Sequence, residues 1–307
     1  EGVVLVRGTS VINELCQLIP EIIDNGPNIK IVAVLSWGLF KMQGEEYCKS
    51  FYQKYNLKYT ILRYFNTYGA YQQKKFVIQN FIYDAKKNKR LMHQSRVGAT
   101  NILFNTCKNL NISPKTFISA SAIGIYGLNA RGIKSENDRI GNDWIARMAS
   151  DWEESAQKFK QIGSRVIQMR ISLLMNKETA FLRYTLLSMK LGLGIIIGSK
   201  EKKISWIHVN DAANFIKEVI TNKNYKGAYN LATAKPISQG IFIKKIKEKL
   251  FPHALIIRAP FYLLRLFLGE RSKIINTDVS IDVNKLKKEG FIWEFYNFNK
   301  VLEKVRN

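Results

Sequence analysis

The sequence predicts an α/β protein with a parallel sheet, helices on both faces of that sheet and a smaller C-terminal α/β part. Two observations lead to this fold class. Short apolar runs with the length of buried strands occur at Val3–Val6, Ile29–Leu35 and Thr116–Ala122, and they alternate with stretches of helical pattern. Hydrophobic residues make up 46% of the 307 residues, which is enough to bury the core of one or two domains.

Cysteine content and hydropathy predict the cellular location. Cys16, Cys48 and Cys107 are widely scattered and odd in number, which favours a reducing cytosol and provides no metal-binding spacing. No apolar run reaches the ~18–20 residues that a membrane span needs, and the first residues lack a basic-then-apolar leader. We therefore expect a cytoplasmic protein without a metal site and without a membrane partner.

The net charge of +24 is compatible with nucleic acid, an acidic membrane surface or an anionic substrate as partner. The lysines are spread along the chain and form only short clusters, such as Lys86–Arg90 and Lys285–Lys288. This spread favours a solvated basic surface, so we do not expect a nucleic-acid partner.

The N-terminal elements have the order of a phosphate-binding unit. Strand Val3–Val6 leads through a turn into a helical stretch, Val11–Ile23. A strand, a tight turn and a helix place a pyrophosphate at the helix N-terminus, although a plain buried strand and helix explain the pattern equally well. The candidate phosphate contacts in this turn are Arg7 and Ser10.

Two further segments of the N-terminal third carry polar groups. Strand Ile29–Leu35 is followed by Ser36–Lys41, which leads into a helix. The segment Tyr59–Gly69, YTILRYFNTYG, is a predicted strand plus loop that carries Asn66.

The segment Thr116–Gly127, TFISASAIGIYG, is the centre of the prediction. Its apolar run predicts a short buried strand that ends in two hydroxyls, Ser119 and Ser121, followed by Tyr126. Because side chains alternate along a strand, both hydroxyls face the same side. Ligands of parallel α/β sheets bind beyond the carboxyl ends of the strands, so Ser121 is predicted to face a cleft there. The alternative is a strand in which two serines only fill space.

The later segments continue the alternation. They are the helix Asp143–Asp151, the strand Val166–Ser172, the helix and Gly-rich loop Phe181–Ile197, the segment Ser205–Asp211 and the strand Tyr229–Leu231.

These motifs together resemble the extended short-chain dehydrogenase/reductase family, the NAD-dependent epimerases and dehydratases. From about residue 84 onward the chain resembles the SulA-like "epimerase family" branch. The supporting motifs, in chain order, are Ser95-Arg96-x-x-x-Thr100, Ser119-Ala-Ser-Ala before Tyr126-Gly127, Ser135-Glu136, Trp152-Glu153-x-x-Ala156 and Ser205-Trp-Ile-His-x-x-Asp211. Residues 1–82 resemble a piece of a sugar-nucleotide epimerase.

The resemblance implies a Rossmann-like doubly wound parallel sheet with a small C-terminal α/β substrate cap. It assigns residues 1–175 and 203–232 to an NAD(P)-binding domain, and residues 176–202 and 233–307 to the cap. It also implies NAD or NADP as cofactor and transient hydride transfer on a nucleotide-sugar-like substrate, which is isomerase or oxidoreductase chemistry. A homodimer is compatible with it.

The resemblance also implies roles for particular residues. The catalytic candidates are Ser121, Tyr126 and Lys41. The cofactor-binding candidates are Arg7, Gly8, Thr9, Ser10, Ser119, Lys41 and Arg170. The substrate-binding candidates are Asn66, Glu136 and His208. For Tyr126 a packing or cofactor-bonding role stays open beside proton donation, and for His208 a structural bond to Asp211 or to the backbone.

The sequence departs from the family's motifs at the catalytic positions. The glycine fingerprint of the first turn is replaced by Arg7, Ser10 and Asn13, so the backbone approach to a pyrophosphate changes. Trp37 stands where the family has its catalytic tyrosine, and an indole N–H cannot shuttle a proton near pH 7. We therefore predict reduced activity, with a non-catalytic nucleotide-binding protein as the alternative.

One helix–strand unit occurs twice in the sequence. Glu46–Phe65 and Glu153–Ser172 align without a gap, and Arg63 pairs with Arg170 in that alignment. Fusion or duplication of a fragment, residues 1–82, explains this better than chance similarity of two generic units. We predict that Glu153–Ser172 takes the place in the sheet beside Thr116–Ala122.

Overall fold

The computed structural model describes residues 2–7, 29–35, 62–63, 85–260 and 278–306. Its strands are β1 (Gly2–Arg7), β2 (Ile29–Leu35), β3 (Leu62–Arg63), β4 (Thr116–Ala122), β5 (Arg131–Lys134), β6 (Arg165–Ile171), β7 (Leu173–Met175), β8 (Leu193–Ile197), β9 (Lys203–Ile204), β10 (Trp206–His208), β11 (Gly227–Leu231), β12 (Ile237–Ser238), β13 (Leu255–Ala259) and β14 (Asp278–Ile281). Its α-helices are α1 (Ala85–His93), α2 (Ala99–Asn109), α3 (Trp144–Gln157), α4 (Ala180–Lys190), α5 (Val209–Thr221), α6 (Gln239–Leu250), α7 (Asn284–Lys288) and α8 (Phe298–Arg306).

Among the described strands, six form the main sheet, in the order β11-β6-β4-β1-β2-β3. Strand β1 pairs in parallel with β2 and with β4, and β2 pairs in parallel with β3. The strand order reverses at β1, because β2 and β4 lie on opposite sides of it. Such a reversal is the point at which open α/β sheets bind their ligands. The predicted α/β class with a parallel sheet is confirmed.

The two copies of the repeated unit occupy different places in this sheet. Strand β6, from the copy Glu153–Ser172, lies next to β4. Strand β3, from the copy Glu46–Phe65, lies at the opposite edge and pairs with β2. The prediction that the second copy takes the place beside Thr116–Ala122 is therefore confirmed.

The chain divides into two compact units. Unit 1 comprises Glu1–Ser121, Met148–Gln168 and Ile216–Gly227. Unit 2 comprises Ala122–Arg147, Met169–Phe215 and Ala228–Asn307. The predicted assignment of residues 176–202 and 233–307 to a substrate cap stays a prediction.

An aromatic core holds the helices of unit 1 against the sheet. Phe117 of β4 and Phe159, which follows α3, are fully buried, and their rings stack at a centroid distance of 3.8 Å. Phe104 of α2 meets Phe159 edge to face at 5.6 Å. Burial of apolar side chains stabilises by roughly 25 cal/mol per Å², so this cluster fixes α2 and α3 relative to β4.

Unit 2 has its own core and short strand pairs. Strands β7 and β10, β8 and β13, and β5 and β14 pair in parallel, whereas β9 and β12 are antiparallel. Trp206 of β10 and Phe242 of α6 are buried and both contact the Phe298 ring of α8, at centroid distances of 6.1 and 4.8 Å. The last helix is thus part of the core of unit 2.

The helices are short. The longest described one, α3, has 14 residues. In the described part of the chain, no helix is long and apolar enough to cross a membrane.

Candidate functional site

The end of β4 carries the two predicted hydroxyls, both in unit 1. Ser119 and Ser121 are only 1% and 4% exposed, as expected for a strand covered on both faces. The Ser119 hydroxyl donates to the backbone carbonyl of Ala120 at 3.1 Å. The Ser121 hydroxyl donates to Oε1 of Glu153 at 2.7 Å. A serine has one hydroxyl proton, so the proton of Ser121 is engaged by a carboxylate of the protein.

Glu153 is held in place by its own helix and by the neighbouring strand. It is 9% exposed on α3, and its backbone carbonyl accepts a hydrogen bond from Nε2 of Gln168 on β6 at 2.8 Å. The same helix is tied to α1, because Nε2 of His93 lies 2.8 Å from the Asp151 carboxylate. These contacts hold the helix that carries Glu153 next to β6 and α1 within unit 1.

Tyr126 lies in a polar network of unit 2, in the short 3₁₀ turn after β4. Its hydroxyl donates to Oδ1 of Asn230 at 2.6 Å and accepts from Nη1 of Arg170 at 3.2 Å. Burial raises the pKa of the Tyr126 phenol above its ordinary value, and the Arg170 guanidinium opposes this only in part. The phenol therefore keeps its proton at neutral pH and is already hydrogen-bonded.

Glu136 belongs to the same network. Its carboxylate accepts the backbone N–H of Asn230 at 2.8 Å, and its carbonyl accepts from Arg170 at 3.0 Å. The Asn230 amide also donates to the carbonyls of Lys134 and Asp282, at 3.2 and 3.3 Å. These bonds connect β11 to β5 and to the segment after β14, so the network holds unit 2 together besides presenting polar groups.

The first predicted phosphate contact lies at the sheet's switch point. Arg7 ends β1 and is in register with Ser119 of β4 on one side and with Val34 of β2 on the other. The predicted site residues Gly8, Thr9, Ser10, Lys41 and Asn66 lie outside the described residues, as does Trp37.

His208 and Asp211 hold the C-terminal segment of unit 2. His208 ends β10, is 1% exposed and accepts the backbone N–H of Asn210 at Nδ1, at 3.2 Å. Its ring stacks on Phe295 at 3.6 Å, and burial together with nearby Lys304 lowers its pKa to about 3. Asp211 accepts the backbone N–H groups of Glu294 and Phe295, at 2.8 and 3.1 Å. A substrate-binding role for His208 stays a prediction.

Sequence reasoning does not assign roles to the partners of the predicted groups. Glu153 belongs to the Trp152-Glu153 motif and begins the repeated unit Glu153–Ser172, and Asn230 belongs to a predicted late strand, but these patterns do not indicate a contact with Ser121 or Tyr126. Gln168 carries no motif at all. In the described ranges, no group of three or more His, Cys, Asp or Glu residues could hold a metal ion.

The sequence matches a known protein family and several curated relatives. The sequence pattern of the NAD dependent epimerase/dehydratase family matches residues 33–93. The epimerase family protein SA0724 of Staphylococcus aureus (strain N315) is 30% identical over 217 residues, which is 70% of this chain and 72% of that protein.

Solved structures share the fold over nearly the whole chain. Human epimerase family protein SDR39U1 (isoform 2), solved with NADPH, aligns with a TM-score of 0.71 at 17% identity and covers 98% of both chains. DesIV from Streptomyces venezuelae, a dTDP-glucose 4,6-dehydratase solved with NAD and TYD, aligns with a TM-score of 0.68 at 13% identity and covers 98% of this chain and 95% of its own. At these identities the likeness establishes the Rossmann-like fold.

Proposed function

Because the chain belongs to the NAD-dependent epimerase/dehydratase family, we propose that it binds NAD or NADP and acts on a nucleotide-sugar-like substrate by transient hydride transfer, with reduced activity. The similar solved proteins support the ligand classes, since one contains NADPH and the other is a dTDP-glucose dehydratase with NAD. We place the protein in the cytoplasm, and a homodimer is compatible with this function.

The strand order of the main sheet supports a dinucleotide site at its switch point. Strand order reverses at β1, and the backbones of Arg7 and Ser119 lie side by side at the ends of β1 and β4. Dinucleotides bind beyond such strand ends, where backbone amides and small hydroxyls can contact phosphate and ribose. When bound, the cofactor supplies the hydride acceptor. The chain's own residues position it and orient the substrate.

The observation that supports reduced activity is the hydrogen bond from Ser121 to Glu153 at 2.7 Å. A serine that polarises a substrate carbonyl must donate its only proton to that carbonyl. To do so here, the Ser121 hydroxyl has to give up its hydrogen bond to the buried Glu153 carboxylate, at a cost of about 1–3 kcal/mol. This cost offsets part of what an oxyanion donor contributes, which is about 10²–10³ in rate.

The alternative is a non-catalytic nucleotide-binding protein of the same fold, and the environment of Tyr126 favours it. The phenol is bonded to Asn230 and Arg170, and its pKa is raised by burial. Such a group is a poor proton shuttle at neutral pH. Ser121 and Tyr126 are thus both occupied by protein partners.

Cofactor binding is tested by thermal unfolding with NAD⁺, NADH, NADP⁺ and NADPH at about 5 mM, with adenosine monophosphate at equal ionic strength as control. With the glycine fingerprint replaced, we expect weak binding, with a Kd of roughly 0.1–1 mM. A ligand bound only to the folded state then stabilises by about 1–2 kcal/mol, a rise in Tm of a few degrees that the control does not give. No shift with any dinucleotide would refute the proposal.

A turnover assay distinguishes an enzyme of reduced activity from a non-catalytic nucleotide-binding protein. With the stabilising cofactor present, UDP-glucose and dTDP-glucose are incubated with the protein and followed by NMR at the sugar C4 position. Slow epimerisation or dehydration supports the reduced enzyme. Stabilisation by cofactor without any change in either sugar supports the binding protein.

A further inference from the structure

A cavity in unit 2 is lined in part by His208, a predicted substrate-binding residue, but the function proposed above assigns no ligand to this cavity. Its volume is about 270 Å³, below that of a site for a whole drug-sized ligand. Its lining residues are Asn176, Lys177, His208, Val301, Lys304 and Val305. The lining contains two lysines, a histidine and an asparagine amide, and no carboxylate.

The buried member of this lining is a fixed hydrogen-bond donor. His208 is 1% exposed, and its Nδ1 accepts the N–H of Asn210. Burial and Lys304 keep the ring neutral by lowering its pKa to about 3. A neutral imidazole that accepts at Nδ1 carries its proton on Nε2, and among the described residues Nε2 has no hydrogen-bond partner. Stacking on Phe295 at 3.6 Å holds the ring in this orientation.

Two lysines add positive charge to the lining of the cavity. Both Lys177 and Lys304 are exposed, and Lys304 lies 5.3 Å from the Phe295 ring, which limits where its ammonium group can go. Glu294 and Glu303 line an adjacent pocket that shares Lys304, so part of that charge is balanced from the other side. Lys177 has no such neighbour in either lining.

We propose that this cavity is an anion site that binds a phosphate group through Nε2–H of His208 and the ammonium groups of Lys177 and Lys304. Charge-assisted hydrogen bonds to phosphate oxygens are among the strongest in proteins, and a neutral N–H donor beside two ammonium groups complements a tetrahedral anion. The lining carries two ammonium groups and no carboxylate, which disfavours a cation as occupant. The phosphate can be free or part of a nucleotide.

The test is a titration of the full chain, free of cofactor, with inorganic phosphate and separately with uridine diphosphate, at constant ionic strength. Binding is followed by calorimetry and by the imidazole NMR signals of the three histidines. We expect the Nε2–H signal of His208 to move with phosphate while those of His93 and His253 stay in place. Tighter binding of uridine diphosphate than of phosphate, with the same movement of the His208 signal and the same weakening by K177Q and K304Q, would identify a nucleotide as the source of the phosphate group.

Three variants decide whether the site is specific. We expect K177Q and K304Q to weaken phosphate binding about tenfold each. The matched control is K300Q. Lys300 lies on α8, as Lys304 does, but it lines the adjacent pocket and is not among the lining residues of the cavity. An unmoved His208 signal at about 50 mM phosphate, or equal weakening by K300Q, overturns the proposal. Because no dinucleotide is present, this outcome is independent of the cofactor test.

Discussion

At the scale of single residues, Ser121 is the position at which structure changes the expectation most. The sequence predicts a hydroxyl that faces a cleft at the carboxyl end of β4. The hydroxyl is instead buried and donates to Glu153 at 2.7 Å. We therefore expect S121A to lower the free energy of unfolding by about 1–3 kcal/mol, because the Glu153 carboxylate loses a donor.

Ser119 provides the matched control for this change. It is equally buried on the same strand, but its hydroxyl donates to the carbonyl of the adjacent Ala120. Urea unfolding of S119A should show a loss below about 1 kcal/mol, since no charged group is left short of a donor. Equal losses in the two variants would mean that the bond to Glu153 contributes nothing beyond serine burial.

Two buried titratable groups of unit 2 should make opposite contributions to the pH dependence of stability. His208 has its pKa lowered from 6.5 to about 3, so between these values only the unfolded chain binds the proton. Its contribution to the free energy of unfolding therefore rises with pH, by up to about 5 kcal/mol. Asp211 has its pKa raised from 3.8 to about 6 by burial. In that window only the folded chain holds the proton, so its contribution falls as pH rises, by up to about 3 kcal/mol.

The variants H208Q and D211N separate these contributions. Unfolding free energies are measured from pH 4 to pH 6 in a buffer without phosphate, and each variant is subtracted from the unmodified protein so that all other groups cancel. The difference from H208Q should rise with pH and the difference from D211N should fall, each by about 1.4 kcal/mol per pH unit at most. Slopes of the same sign would contradict the assignment.

Residue-level contacts were the part that sequence could not supply. The period of two along β4 correctly gives the strand, but the partner of Ser121 lies 32 residues away on a helix. Which face α3 presents depends on packing of Phe104, Phe117 and Phe159, and no local pattern encodes that rotation.

At the scale of elements, sequence patterns located the strands well. Apolar runs predicted at Ile29–Leu35 and Thr116–Ala122 are strands with those same bounds. Such runs can be recognised in the sequence because a strand buried on both faces is nearly continuously apolar. The neighbours of Thr116–Ala122 were also predictable in part, since the Glu153–Ser172 copy was placed beside it correctly.

Short strands of unit 2 were less predictable for a physical reason. Strand β13 pairs with β8, and β14 pairs with β5, across long separations in sequence. Strand β14 has only four residues, too few to show a clear alternation, so its pairing depends on tertiary contacts more than on local propensity.

Hydrogen bonds from Arg165 anchor the start of β6 to α5 within unit 1. The Arg165 guanidinium donates to the backbone carbonyls of Val219 and Asn222, at 2.6 and 2.9 Å. These carbonyls lie at the end of α5, where a helix lacks intrahelical partners and favours a positive charge. A single arginine thus caps one helix and fixes the strand beside it.

At the scale of the whole molecule, the N-terminal piece contributes to the sheet and does not merely precede it. Strands β1, β2 and β3 come from residues 1–82 and make up half of the six-stranded sheet. Strand β1 is paired on both sides, with β2 and with β4. A fused or duplicated origin of these residues is therefore compatible with one continuous sheet.

This arrangement gives a prediction about backbone hydrogen bonding, tested with two prolines. Leu5 lies in the middle of β1, opposite Phe117 of β4 and Val32 of β2, and proline there removes a ladder donor from a central strand. We expect L5P to lower the free energy of unfolding by about 3 kcal/mol or more. The matched variant L62P changes the same residue type in β3, which lies at the edge of the sheet among the described strands and pairs there with β2. Proline is tolerated at the start of such an edge strand. Urea unfolding followed by near-ultraviolet circular dichroism measures both, and a small, equal effect of the two prolines would place residues 1–82 outside the sheet.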